Sequence, residues 1–77
     1  MSKIVKARRS DVIDHIDVRP MFGVHPYSDQ EYHFWRAIVT TKRGYCYYVT
    51  YGDHEPTEDE VRQAWRNDYQ SFDPWIS

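Results

Sequence analysis

An α+β fold is predicted for this chain: a three-stranded antiparallel sheet, centred on a hairpin over 32–51, with one C-terminal amphipathic helix packed on one face. Three observations predict it. Two stretches dense in aromatic and β-branched residues, 32–41 and 45–51, flank Lys42-Arg43-Gly44, and glycine supplies the positive φ that a tight hairpin turn needs. Thr57-Glu58-Asp59-Glu60 has the form of a capping box, and Val61, Ala64, Trp65, Tyr69 and Phe72 follow it at helical spacing. Ile16-Asp17-Val18-Arg19 and Phe22-Gly23-Val24 alternate with the period of a strand.

The N-terminal segment is the least patterned. Ile4 and Val5 suggest a short strand, and Val12, Ile13 and Ile16 suggest a helical turn after Ser10. In the third strand Pro20 removes a ladder donor, which pushes that strand to an edge or breaks it. His25 to Glu31 reads as a polar loop. The hairpin has two competing registers. A three-residue loop puts Trp35, Ala37, Val39, Tyr45, Tyr47, Val49 and Tyr51 on one face and Phe34, Arg36, Ile38, Thr40, Cys46, Tyr48 and Thr50 on the other. A two-residue loop would set Arg36 beside Ile38, Tyr47 and Val49. Burial selects register, so the three-residue loop is expected, with its first face under the helix. The helix is expected over 57–72, three acids in its first turn suiting the positive end of its dipole. Glu60 should reach back to the cap. Asp73-Pro74 should stop the helix, leaving Trp75 and Ile76 to fold back as an apolar tail.

A chain of 77 residues makes one domain, 1–77, and hides only about 60–65 % of its extended surface on folding. Stability should therefore lean on a homodimer contact or on a partner. Cys46 is the only cysteine, so no internal disulfide forms; that and the missing signal peptide point to the cytoplasm. No apolar run approaches the roughly 20 residues of a membrane span. The net charge of −2 is segregated: Lys3, Lys6, Arg8 and Arg9 make residues 1–10 carry +4, and residues 53–77 carry −5.

Little in the chain suggests catalysis. His15, His25, His33 and His54 stand ten, eight and 21 residues apart, whereas structural zinc needs close ligand pairs; no metal or cofactor is expected. Cys46 has no histidine within reach along the hairpin, so it reads as a small apolar residue. Asp53, Glu55, Glu58, Asp59 and Glu60 are accounted for by capping and dipole complementarity. None of the three glycines belongs to a phosphate loop. The expectation is a protein without enzymatic activity.

Four of the seven tyrosines fall in the run 45–51, just after Tyr32-His33-Phe34-Trp35. A domain this small cannot bury all those rings, so some should face solvent or a partner, and exposed Tyr and Trp on a rigid sheet make a recognition surface. Phe34, Arg36 and Tyr48, on the face away from the helix, are the expected anchors. Glu55, Asp59 and Asp68 are the expected acidic contacts, able to occupy a basic groove built for nucleic acid. These features suggest a small protein-binding regulator or inhibitor docked on a larger protein, such as a transcription enzyme or a nucleic-acid-guided nuclease. In size and make-up it is like the single-domain inhibitors frequent among phage and mobile-element accessory proteins.

Nucleic acid is the alternative partner. Lys42-Arg43-Gly44-Tyr45-Cys46-Tyr47 resembles the RNP1 strand of RRM domains, where basic, glycine and alternating aromatic residues set rings for base stacking. The resemblance ends at Tyr48, which stands where that strand has an aliphatic residue. It implies phosphate contacts from Lys42 and Arg43 and stacking by Tyr45 and Tyr47.

Overall fold

Three long strands follow one another as two hairpins, and a fourth, two-residue strand closes the sheet after the helix. The structure is a computed structural model and describes residues 5–75. Strand β1 spans Ile13–Val24, β2 Glu31–Thr41, β3 Cys46–Tyr51 and β4 Asp73–Pro74, in the antiparallel order β1-β2-β3-β4. Helix α1 spans Glu58–Asp68 and runs into a 3-10 turn at Tyr69–Ser71. The architecture is thus α+β as predicted, with four strands in place of three.

The β2–β3 register is that of the three-residue loop, with Thr40 opposite Cys46 and Trp35 opposite Tyr51. Gly44, at φ 91°, makes the turn, its amide donating to the Thr41 carbonyl at 2.9 Å. Ala37, Val39 and Tyr47 therefore point to one side, where they meet Val61, Trp65 and Phe72 in the core. Trp65 tilts over Tyr47 with ring centroids 5.6 Å apart and takes Phe72 edge-on at 5.0 Å. Removing a side chain such as Val39, Val61 or Phe72 from water contributes about 1.5–3 kcal/mol.

Several expectations need correcting. Val12, Ile13 and Ile16 form no helical turn; Ile13 and Ile16 belong to β1, because pairing along the whole length of β2 outweighs a local pattern. Val5 lies in no strand, and Ile4 and Ile76 lie outside the described residues. The α-helix ends at Asp68, and the 3-10 turn brings Phe72 inward. Thr57 caps the helix, its hydroxyl accepting the Glu60 amide at 3.1 Å. The Glu60 carboxylate does not return to the cap but takes Nε2 of His54.

Pro20 sits mid-strand without breaking β1, and the ladder shows why. The Thr41 amide donates to the Tyr45 carbonyl at 2.9 Å, which marks an opposed, hydrogen-bonded pair and fixes the alternation across the sheet. From His15 onward, past the register shift at the start of β1, odd-numbered residues turn their amides to β2 and even-numbered ones turn them outward. Pro20, which has no N–H, occupies an outward position on the edge strand.

Candidate protein-binding face

The same alternation that fills the core puts a second set of side chains on the sheet's other side. Met21 and Gly23 come from β1, Tyr32, Phe34, Arg36 and Ile38 from β2, and Cys46 and Tyr48 from β3. Beyond Phe72 the chain pairs Asp73 with Tyr48 and Pro74 with Tyr47. The Trp75 amide then donates to the Cys46 carbonyl at 2.9 Å, and pleat alternation delivers Trp75 to this face. No described helix lies across it; α1 packs on the opposite side.

The rings form one unbroken row. His25 and Tyr32 lie 5.0 Å apart by centroid, and Tyr32 stacks on Phe34 at 5.8 Å. Arg36 continues the row, its guanidinium 5.5 Å from the Phe34 centroid, 4.7 Å from Tyr48 and 5.1 Å from Trp75. Tyr48 meets Trp75 edge-on at 5.3 Å. Such cation–π contacts hold Arg36 in place at about 0.5–2 kcal/mol each. Its Nε is buried without a hydrogen-bond partner among the described residues. Gly23 makes room at the row's far end: a Cβ there would fall 2.4 Å from Cζ of Tyr32, whose ring lies across the glycine.

The structure thus brings Phe34, Arg36 and Tyr48 together, all half-buried. Tyr32 and Trp75 join them and were missed from sequence. Tyr32 had a signal, since it begins the period-two series Tyr32, Phe34, Arg36, Ile38. Trp75 had none beyond being an apolar residue after a helix stop.

The acidic set lies elsewhere. Glu55 is exposed in the loop before α1, while Asp59 and Asp68 are exposed near the helix's two ends, about 13 Å apart by helical rise. Neighbouring acids are engaged: Glu58 accepts from Arg62 at 2.9 Å, and His54 bridges Asp53 at 2.8 Å and Glu60 at 2.6 Å. With a carboxylate on each ring nitrogen, the His54 pKa is raised, chiefly by Glu60 and then by Asp53.

Of the residues with RNP1 resemblance, Arg43 touches both Tyr45 and Tyr47, but much of the set is committed to contacts within the fold. Tyr47 is 0 % exposed beneath the helix, its hydroxyl pKa raised by burial. Tyr45, between the hairpin turn and β3, is 42 % exposed and lies under the Arg43 guanidinium at 4.8 Å. Arg43 is ion-paired with Asp11 and Lys42 with Asp14.

Comparison with protein-family models, curated proteins and solved structures finds no match. No described helix is long and apolar enough to cross a membrane.

Proposed function

We propose that this chain is a small non-enzymatic protein-binding module that docks through its open sheet face on a larger protein. The supporting observation is the row Tyr32, Phe34, Arg36, Tyr48 and Trp75, which no described element covers. Rigid aromatics around an arginine are the make-up of interface hot spots. The partner surface that fits is apolar and carries a carboxylate for Arg36, which has no anionic partner among the described residues. Glu55, Asp59 and Asp68 lie on the helix side, so their role in this reading is long-range steering toward a basic, nucleic-acid-handling partner. A single-domain regulator or inhibitor of the phage and mobile-element type, working in a reducing cytoplasm, is the biological setting proposed.

One observation favours nucleic acid as a second reading: a platform of open aromatic rings is also how single strands are stacked. Its charge balance opposes that reading, because Asp17 and Asp73 offset Arg19 and Arg36 on this face, and phosphate-backbone binding needs a cationic surplus.

Co-purification from the native host with the wild-type chain and with Arg36→Ala/Tyr48→Ala, run side by side, tests the proposal. Hydrogen exchange on the recovered complex should show protection over residues 32–38 and 46–50. A partner retained equally by both chains, with that face unprotected, would overturn it.

A further inference from the structure

On the helix side, away from the aromatic row, lies a cleft of about 490 Å³ lined by the N-terminal segment, the start of β1 and α1. Three arginines converge on it, Arg9 from the segment and Arg62 and Arg66 from the helix. Local structure explains part of this. Arg62 answers Glu58 one turn earlier, and Arg66 suits the negative end of the helix dipole. Neither reason accounts for Arg9 arriving from a different part of the chain.

The local charges do not cancel. Asp11 also lines the cleft, but Arg43 holds it, and Glu58 holds Arg62. Arg9 and Arg66 have no hydrogen-bonded or ionic partner among the described residues, which leaves two positive charges facing one space. The remaining walls are apolar or aromatic: Val12, 61 % exposed despite being aliphatic, with Ile13 and Tyr69.

We propose that this cleft binds a phosphate monoester carried on a flat apolar body, a mononucleotide or an aryl phosphate. A phosphate monoester carries a charge of about −1.5 to −2 at neutral pH, which matches the two free guanidiniums. Their planar forks bond phosphate oxygens bidentately. The ring lies against Val12 and Tyr69, covering apolar surface that is otherwise wet. The volume is in the range of small-ligand sites, about 300–1,000 Å³. The site is independent of the docking face, which is on the other side of the sheet.

The test is an NMR titration of the intact chain at low salt with adenosine 5′-monophosphate and, separately, N-acetyl-phosphotyrosine amide. Either should give saturable shifts at the Val12, Ile13 and Tyr69 amides and at Nε–H of Arg9 and Arg66. Arg9→Gln and Arg66→Gln should each weaken binding about tenfold. Adenosine and N-acetyl-tyrosine amide, without phosphate, should bind at least about tenfold more weakly. Whichever phosphate binds tighter tells a free nucleotide from a phosphorylated side chain. Arg9 lies in a turn outside any helix or strand, and its side chain has no hydrogen-bonded or ionic partner among the described residues, so its substitution breaks no such contact of the fold. No saturable response by about 10 mM, or shifts unchanged in both variants, would overturn the proposal. Inorganic phosphate binding as well as either probe would mean an adventitious ion only, and would overturn it too.

Discussion

Arg43, in the hairpin turn, grips the Asp11 carboxylate through both Nε and Nη2, the second contact 2.7 Å long, and Nη2 also donates to the Tyr47 hydroxyl at 3.3 Å. One guanidinium thereby ties the N-terminal segment to the turn and to the edge of the core. The Arg8 amide adds a bond to Asp11 at 2.8 Å. Asp11→Ala should cost about 2 kcal/mol, because a mostly buried partner is removed and its bonds are left unmade. For a domain of this size that lowers Tm by roughly 10 °C. The Arg43 hydrogen bond, against desolvation, holds the Asp11 carboxyl below its ordinary 3.8. A depressed folded pKa stabilises above the unfolded value and stops doing so as pH falls through the folded one. Urea unfolding should therefore show the wild-type advantage over Asp11→Ala in full at about pH 6, shrinking as pH falls below the ordinary carboxylate value.

Gly23→Ala should separate stability from the aromatic row. The added methyl would overlap the Tyr32 ring, 2.4 Å from its nearest atoms, but an exposed side chain can swing away. Loss of unfolded-state freedom offsets part of the cost, so the melting curve should move by less than about 1 kcal/mol. The Tyr32 ring should leave its stack on Phe34 and His25. NMR ring-current shifts at those two residues would reveal this, and unchanged shifts would contradict it.

The hairpin, its register and its two faces were legible in the sequence because Gly44 and two alternating strands constrain one another. The helix start was legible through Thr57. What the sequence withheld depends on contacts distant along the chain. Two residues, one of them proline, carry no strand pattern, so β4 exists only because β3 offers it an edge. Trp75 reaches the Arg36 cage by that pairing. Val12, Ile13 and Ile16 mimic a helical turn locally, and only the β2 ladder decides against it. The arginine cleft was equally hidden, since Arg9 meets Arg62 and Arg66 only after the helix folds across the sheet.

Tyr48→Ala should weaken binding of the partner by roughly 1–3 kcal/mol if the open face is the docking surface. It should cost less in folding than Tyr47→Ala, because Tyr48 is half-buried while Tyr47 is inside the core. Charge reversal at Glu55, Asp59 and Asp68 should slow association and flatten its salt dependence, leaving dissociation nearly unchanged. Stopped-flow or surface-binding kinetics separate the two effects. A Tyr48→Ala chain that loses stability but not affinity would make this ring a structural residue.

His54 should act as a pH-dependent clasp between the β3–α1 loop and the helix start. Its raised pKa, caused first by Glu60 and then by Asp53, means that the folded state favours the charged ring. Such a group stabilises fully below its unfolded pKa of about 6.5, and the effect is lost as pH rises through the folded value. The difference in Tm between wild type and His54→Ala should be largest in mild acid and fade in alkali. NMR titration of the His54 ring should give a midpoint above the ordinary 6.5, and a midpoint below it would contradict the clasp.

Pro20 should guard the exposed edge of β1. The outward amides of Ile16, Val18, Phe22 and Val24 are open to a second strand, and Phe22, 68 % exposed, adds an apolar contact beside them. Proline interrupts that row in the middle, one of the ways natural sheets avoid edge-to-edge pairing. Pro20→Val restores the missing donor, and β-branched valine suits a strand. The variant should keep its fold and self-associate with concentration, two β1 strands meeting antiparallel. Sedimentation or gel filtration between about 10 and 500 μM should show a larger species for the variant than for wild type, over a range where a weak edge contact with micromolar Kd is populated. Identical behaviour of the two chains would show that the side chains of β1, and not its proline, protect the edge.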